Sequence, residues 1–161
     1  MSKSEDIEKK INNWLLEEVQ TITKVPNDKT DFLIQVNNAV ESPLMINIVR
    51  LKSRDLIEIM CNLNVDGTIK KELLKKQSSL LSELDHAVIT KGSPITYFPK
   101  LEQVQQIRII KQVYASELTK TQLFKAMRDA RDSAFLVNLI IRKYVKRPST
   151  GGLSSTNVGV G

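Results

Sequence analysis

Residues 44–64 read LMINIVRLKSRDLIEIMCNLN, two apolar runs on either side of a short polar stretch. Leu44, Ile46 and Ile48 alternate with their neighbours, and so do Ile57, Ile59, Cys61 and Leu63. A period of two gives a strand one apolar face. The link around Ser53-Arg54-Asp55 is too short for a crossover helix, so the two strands pair antiparallel. Upstream, Phe32, Ile34 and Val36 alternate in the stretch Asp31 to Val36, which joins the next strand around Glu41-Ser42-Pro43. Three consecutive hairpin-linked strands predict an antiparallel sheet with one face set aside for helices.

Working outward, Ile7, Ile11, Leu15 and Val19 recur at helical spacing, and Ser2 with Glu5 fits a capping box, so residues 4–20 read as an amphipathic helix. Pro26 and Asn27-Asp28 stop it. Beyond the third strand, Asp66 is placed to cap a second helix in which Ile69, Leu73, Leu80 and Leu84 share one face, ended by Gly92-Ser93-Pro94. A short strand from Ile95 to Phe98 and a longer one from Gln106 to Tyr114 follow. Thr119 with Gln122 then opens a long third helix. The expected fold class is α+β in the order α-β-β-β-α-β-β-α, an antiparallel sheet packed with helices. Residues 1–147 form a single domain, and 148–161, rich in Gly, Ser and Thr without period, read as a flexible tail.

A chain of 161 residues, 41% hydrophobic, is large enough to bury roughly two-thirds of its unfolded surface. The single cysteine, Cys61, has no intramolecular disulfide partner, and MSKSEDIEKK is charged where a secretory signal would be apolar, which points to a cytoplasmic protein. The longest apolar run, Ala134 to Ile141, is broken at Asn138 and followed by Arg142 and Lys143, so no membrane span is expected.

The net charge of +6 is concentrated in one element. Residues 119–147 hold eight Lys or Arg against Asp129 and Asp132, whereas residues 1–118 hold 16 of each sign. At about 100° per residue, Leu123, Ala126, Met127, Ala130, Ala134, Val137, Ile141, Tyr144 and Val145 share an arc of roughly 100°, the face that packs on the sheet. On the opposite side Phe124, Phe135 and Leu139 interleave with Arg128, Arg131, Arg142, Lys143 and Lys146. Solvated helix faces seldom carry such a row. Three occupants are open: the first helix or the tail, a polypeptide partner such as a second copy or a client peptide, or nucleic acid held by the arginines. The low aromatic content, 5%, and the lack of an aromatic-rich strand weigh against single-strand nucleic acid, and Asp129 with Asp132 weighs against a membrane surface.

Catalytic machinery is thin. His86, the one histidine, lies off the apolar face of its helix, and Cys61 sits among Ile57, Ile59 and Leu63 as a buried thiol. One His and one Cys make no ordinary zinc site within one chain, and no phosphate-cradling Gly-rich loop precedes a helix, so neither metal nor cofactor is expected. Glu17-Glu18 read as surface charge, and Glu58, opposite Ile57 and Ile59, as a solvated carboxylate. No catalytic residues are assigned, and the expectation is a protein that is not an enzyme.

The stretches IEIMCNL (57–63), TYFP (96–99) and IRIIKQVYASELTKTQLFKAMRDAR (107–131) resemble a small family of uncharacterised archaeal proteins, and the order of elements resembles the type III secretion chaperone fold. Where the family pattern places Asp-Gly ahead of Leu-Thr-Lys, this chain has Ser116-Glu117. The resemblance implies a homodimer that holds non-globular client segments along a helix and sheet surface, here with Phe124, Arg128, Arg131, Phe135, Leu139, Arg142 and Lys143 as the interaction surface.

Overall fold

The structure, a computed structural model, describes residues 3–18, 20–38, 42–92 and 94–145. The expected tail and Ser2 of the first capping box lie outside them. Helix α1 (Lys3–Glu17) leads into strands β1 (Thr21–Lys24), β2 (Thr30–Asn38), β3 (Ser42–Leu51) and β4 (Leu56–Asn64). Helices α2 (Gly67–Leu73) and α3 (Ser79–Lys91), strands β5 (Ile95–Phe98) and β6 (Gln106–Tyr114), and helix α4 (Lys120–Tyr144) complete it. The strands form one sheet in the order β1-β2-β3-β4-β6-β5, with every neighbouring pair antiparallel.

The opening hairpin forms as its alternation requires. Ile48 lies opposite Ile59 and Ile46 opposite Cys61, and on the far side of β4 Cys61 meets Ile109 and Leu63 meets Ile107. These side chains share one hydrophobic core with Ile11 and Leu15 of α1, Ile69 and Leu73 of α2, Leu80 and Leu84 of α3 and the inner stripe of α4. All four helices therefore cover the same face of the sheet, giving two layers.

The expected element order needs two corrections. A strand precedes the three foreseen, because Ile22 alone faces the core from β1 and a run of four residues offers too little alternation to register. Its neighbour Lys24 points to the helical side and pairs with the buried Glu8 of α1 at 2.7 Å, which fastens the edge of the sheet to the first helix. The second expected helix is two. Asp66 caps α2 by accepting from the backbone N–H of Thr68 and Ile69, as its position predicts. The chain then breaks at Leu74 to Ser78, where Gln77 has a positive φ and Ser78 becomes a new cap, accepting from Leu81 N. Leu73 and Leu80 stand seven residues apart, two helical turns, so a break between them leaves the apolar periodicity in phase. Gly92, in the left-handed conformation that glycine adopts without strain, closes α3.

The second face of the sheet meets none of the four helices. It carries Leu33, Val49 and Met60, all buried yet outside the main core, together with buried Asn47, Asn62 and Arg108. The guanidinium of Arg108 stacks 3.5 Å from the ring centroid of Phe98, while both amide atoms of Asn62 and Oδ1 of Asn47 have no hydrogen-bond partner among the described residues. Glu58, on this face too, accepts from Gln112 Nε2 at 3.1 Å and is half-buried.

Ile59 sits at the centre of the sheet beneath the helices with no exposed surface. Truncating it in Ile59→Ala leaves a cavity that the strands on either side cannot close, and the loss expected in urea unfolding is about 2–5 kcal/mol. The exposed Tyr114→Ala is expected to cost about 0.5 kcal/mol or less, and equal losses for the two would contradict the placement of the core.

Candidate interaction face on the last helix

Helix α4 begins where β6 ends, and the junction is tied to the β3–β4 hairpin. Ser116 donates its backbone N–H to Asp55 Oδ1 at 3.0 Å and its hydroxyl to Oδ2, so Ser116 holds the turn where the family resemblance places Asp-Gly. The expected capping box is present: Thr119 Oγ1 accepts from Gln122 N at 3.2 Å, and Gln122 Oε1 accepts from Thr119 N at 2.9 Å. From that start the helix runs 25 residues, about 37 Å, over β6, β4 and β3. Its inner stripe is buried as the wheel predicts, except that Tyr144 is half-buried, and the small side chains of Ala126, Ala130 and Ala134 bring its backbone close to the strands.

Neighbouring helices neutralise much of its charge. At the first turn Lys120 Nζ lies 2.9 Å from Glu17 at the end of α1 and 2.7 Å from Glu18 just beyond it, and these hydrogen bonds, that to Glu18 foremost, hold the ammonium above its ordinary pKa. Glu17 and Glu18, read as plain surface charge, therefore clamp α1 to α4. At the last turn Glu83 of α3 accepts from Lys143 and, at 2.6 Å, from the hydroxyl of Tyr144. Those two donors, Lys143 first, hold the Glu83 carboxyl below the usual carboxylate range, and the hydrogen bonds to Glu83 in turn raise the pKa of both Lys143 and Tyr144. Lys125 likewise pairs with Asp129 at 2.8 Å and lowers its pKa.

The predicted surface residues separate accordingly. Phe124 is half-buried against the core at the α1 end, with the Lys120 ammonium 6.0 Å from its ring. Arg131 is half-buried as well and, with Glu18, Gln20, Phe124, Met127 and Arg128, lines a cleft of about 240 Å³ between the end of α1 and α4. Lys143 is committed to Glu83. Phe135 and Leu139, one turn apart, stay 55% and 43% exposed, with Arg128, Asp132 and Arg142 exposed on the same side. The first helix therefore covers only the Phe124 end. Lys146 lies outside the described residues.

Elsewhere the chemistry is quiet. Burial pushes the Cys61 thiol up to about 12, against an opposing pull from the Arg131 charge, and keeps it protonated at neutral pH. His86 is exposed on α3 beside Ser79, Ser82 and Glu83, in a shallow groove that also includes Gln77 and Ser78. Among the described residues no three His, Cys, Asp or Glu side chains gather as a metal site would require, and no helix is long and apolar enough to cross a membrane. What sequence reasoning missed is the polar set Asn47, Asn62 and Arg108. Their signal is a strand such as LMINIV, apolar on both faces except for one amide.

These elements define a class: a two-layer α+β protein, four helices on one face of a six-stranded antiparallel sheet. Residues 7–141 match the uncharacterized conserved proteins of DUF2299, and the chain belongs to that family. A solved structure described as the "Crystal structure of an uncharacterized protein from Methanothermobacter thermautotrophicus" is 18% identical, with a TM-score of 0.71. The match covers 85% of this chain and 97% of that one, and at such identity it is a likeness of fold. No curated protein matches the chain.

Two outcomes follow from the protonation states. Because the folded-state pKa of Glu83 is depressed, its stabilising contribution is present above the unfolded value and is lost as pH falls through the folded one. Melting temperatures of Glu83→Gln are therefore expected to fall less steeply than those of the native chain on acidification, and parallel curves would show that the clamp does not matter. Cys61 is expected to resist a thiol reagent in native buffer and to react fully in denaturant; fast native labelling would contradict its burial.

Proposed function

We propose that this protein is a non-enzymatic interaction module that holds another polypeptide on the outer face of α4, either as a homodimer or by taking a client segment. The observation that carries the reading is the exposure of Phe135 and Leu139 beside Arg128 and Arg142, on a helix whose other charged groups largely have partners within the chain. Interfaces concentrate their energy in aromatic and arginine anchors, and this face offers both. The resemblance to type III secretion chaperones supports a chaperone-like role, although the added β1 and the split between α2 and α3 depart from the order on which that resemblance rests. A single buried, unpaired cysteine supports a cytoplasmic setting.

Nucleic-acid binding is the second reading, favoured by the excess positive charge of α4. It would rest on Arg128 and Arg142, since Lys120, Lys125 and Lys143 already face carboxylates. Its signature would be affinity that falls steeply with salt.

The test is a phage-displayed peptide library selected on the immobilised protein, alongside light scattering after size exclusion, with Phe135→Asp as the control. Association with itself or with selected peptides is expected, and the variant should lose it while melting like the native chain. Absence of any Phe135-dependent association, or unfolding of the variant, would remove this reading.

A further inference from the structure

Arg128, Asp132, Phe135, Leu139 and Arg142 follow one another at steps of four, three, four and three residues. That is the 3.5-residue average of a coiled-coil seam, and it lies on the side of α4 away from the sheet. Alternate positions along such a seam pack against each other when two helices run antiparallel. Placing the two-fold axis at Val137 puts Phe135 opposite the partner's Leu139 and Leu139 opposite the partner's Phe135. The same register puts Asp132 opposite the partner's Arg142, five residues either side of the axis and so about 7.5 Å along it. Asp132 and Arg142 are both exposed, and neither has an ion-pair partner among the described residues.

We infer that the occupant of this face is a second copy of the chain, joined by antiparallel packing of α4 on α4 with two Phe135–Leu139 contacts at its centre and an Asp132–Arg142 pair on each side. This rests on the reading of α4 as an interaction face and names its partner. The surface is self-complementary, as an isologous two-fold interface must be. Parallel pairing would set Arg128 against Arg128, Asp132 against Asp132 and Arg142 against Arg142, so charge selects the antiparallel arrangement. Arg131 and Lys143 also fall opposite each other in this register, and Lys143 already carries the neutralising carboxylate of Glu83. The seam from Arg128 to Arg142 is about 21 Å long, a small interface, so the dimer is expected to exchange with monomer.

The test reverses the charges one at a time and together. Sedimentation equilibrium of the full chain, over a concentration series reaching the millimolar range, is expected to show a monomer–dimer equilibrium. Asp132→Arg alone and Arg142→Asp alone should each weaken it by roughly tenfold or more, by setting like charges against each other. The double variant restores opposite charges at both positions and should recover dimerisation. A native chain that stays monomeric overturns the inference, and so does a folded double variant that fails to recover or a pair of single variants that dimerise normally. The broader reading fails separately: peptides that need Phe135 but bind a monomer would refute only the dimer, and a dimer split by Phe135→Asp but indifferent to the reversals would refute only the register.

Discussion

The close seating of α4 on the sheet, through Ala126, Ala130 and Ala134, is the constraint on which the other elements depend. A helix that approaches β4 and β6 this closely occupies the centre of the helical layer and leaves α1 and α3 only the flanks. Each flanking side then meets α4 with carboxylates, Glu17 and Glu18 at its first turn and Glu83 at its last. Those contacts are exposed, so their worth to stability is small. Their geometric effect is larger, because they hold α1 against the first turn of α4 and α3 against its last. Phe124 falls under α1, whereas Phe135 and Leu139 fall beyond it.

Much of this was legible in the residues themselves. Alternation in β2, β3 and β4 named the inward side chains, Thr119 and Gln122 named the start of α4, and the wheel named its buried stripe. What escaped had physical reasons. A strand of four residues with one inward apolar side chain gives no period to read, so β1 exists through its pairing with β2 and the Lys24–Glu8 contact, which are long-range facts. A helix that breaks and restarts after whole turns keeps its apolar phase, so the gap between Leu73 and Leu80 is silent in the pattern. The site was half legible. The wheel grouped Phe124 with Phe135 because both lie away from the inner stripe, and only the tertiary position of α1 separates them.

The second face of the sheet followed a different logic from the first. Alternation assigns an inside and leaves the residues between as an outside. In β3 and β4, however, Val49 and Met60 are as buried as many of the core residues, and Asn47 and Asn62 are buried beside them. Strands apolar on both faces belong to sheets covered on both sides. The amides interrupt that pattern with donors and acceptors that find no partner among the described residues, an arrangement that costs free energy wherever it occurs.

Helix α4 has neither glycine nor proline along its 25 residues, and its first turn is capped by its own side chains. The spacing of Phe135 and Leu139 is therefore set before any encounter, and folding of the domain has already met most of the entropic cost of ordering that backbone. Recognition on this surface is a docking of preformed shapes, in which the partner's rate of arrival is governed by diffusion and orientation and its residence time by the quality of two or three contacts. Substitutions along the seam should accordingly speak mainly through how long a complex lasts.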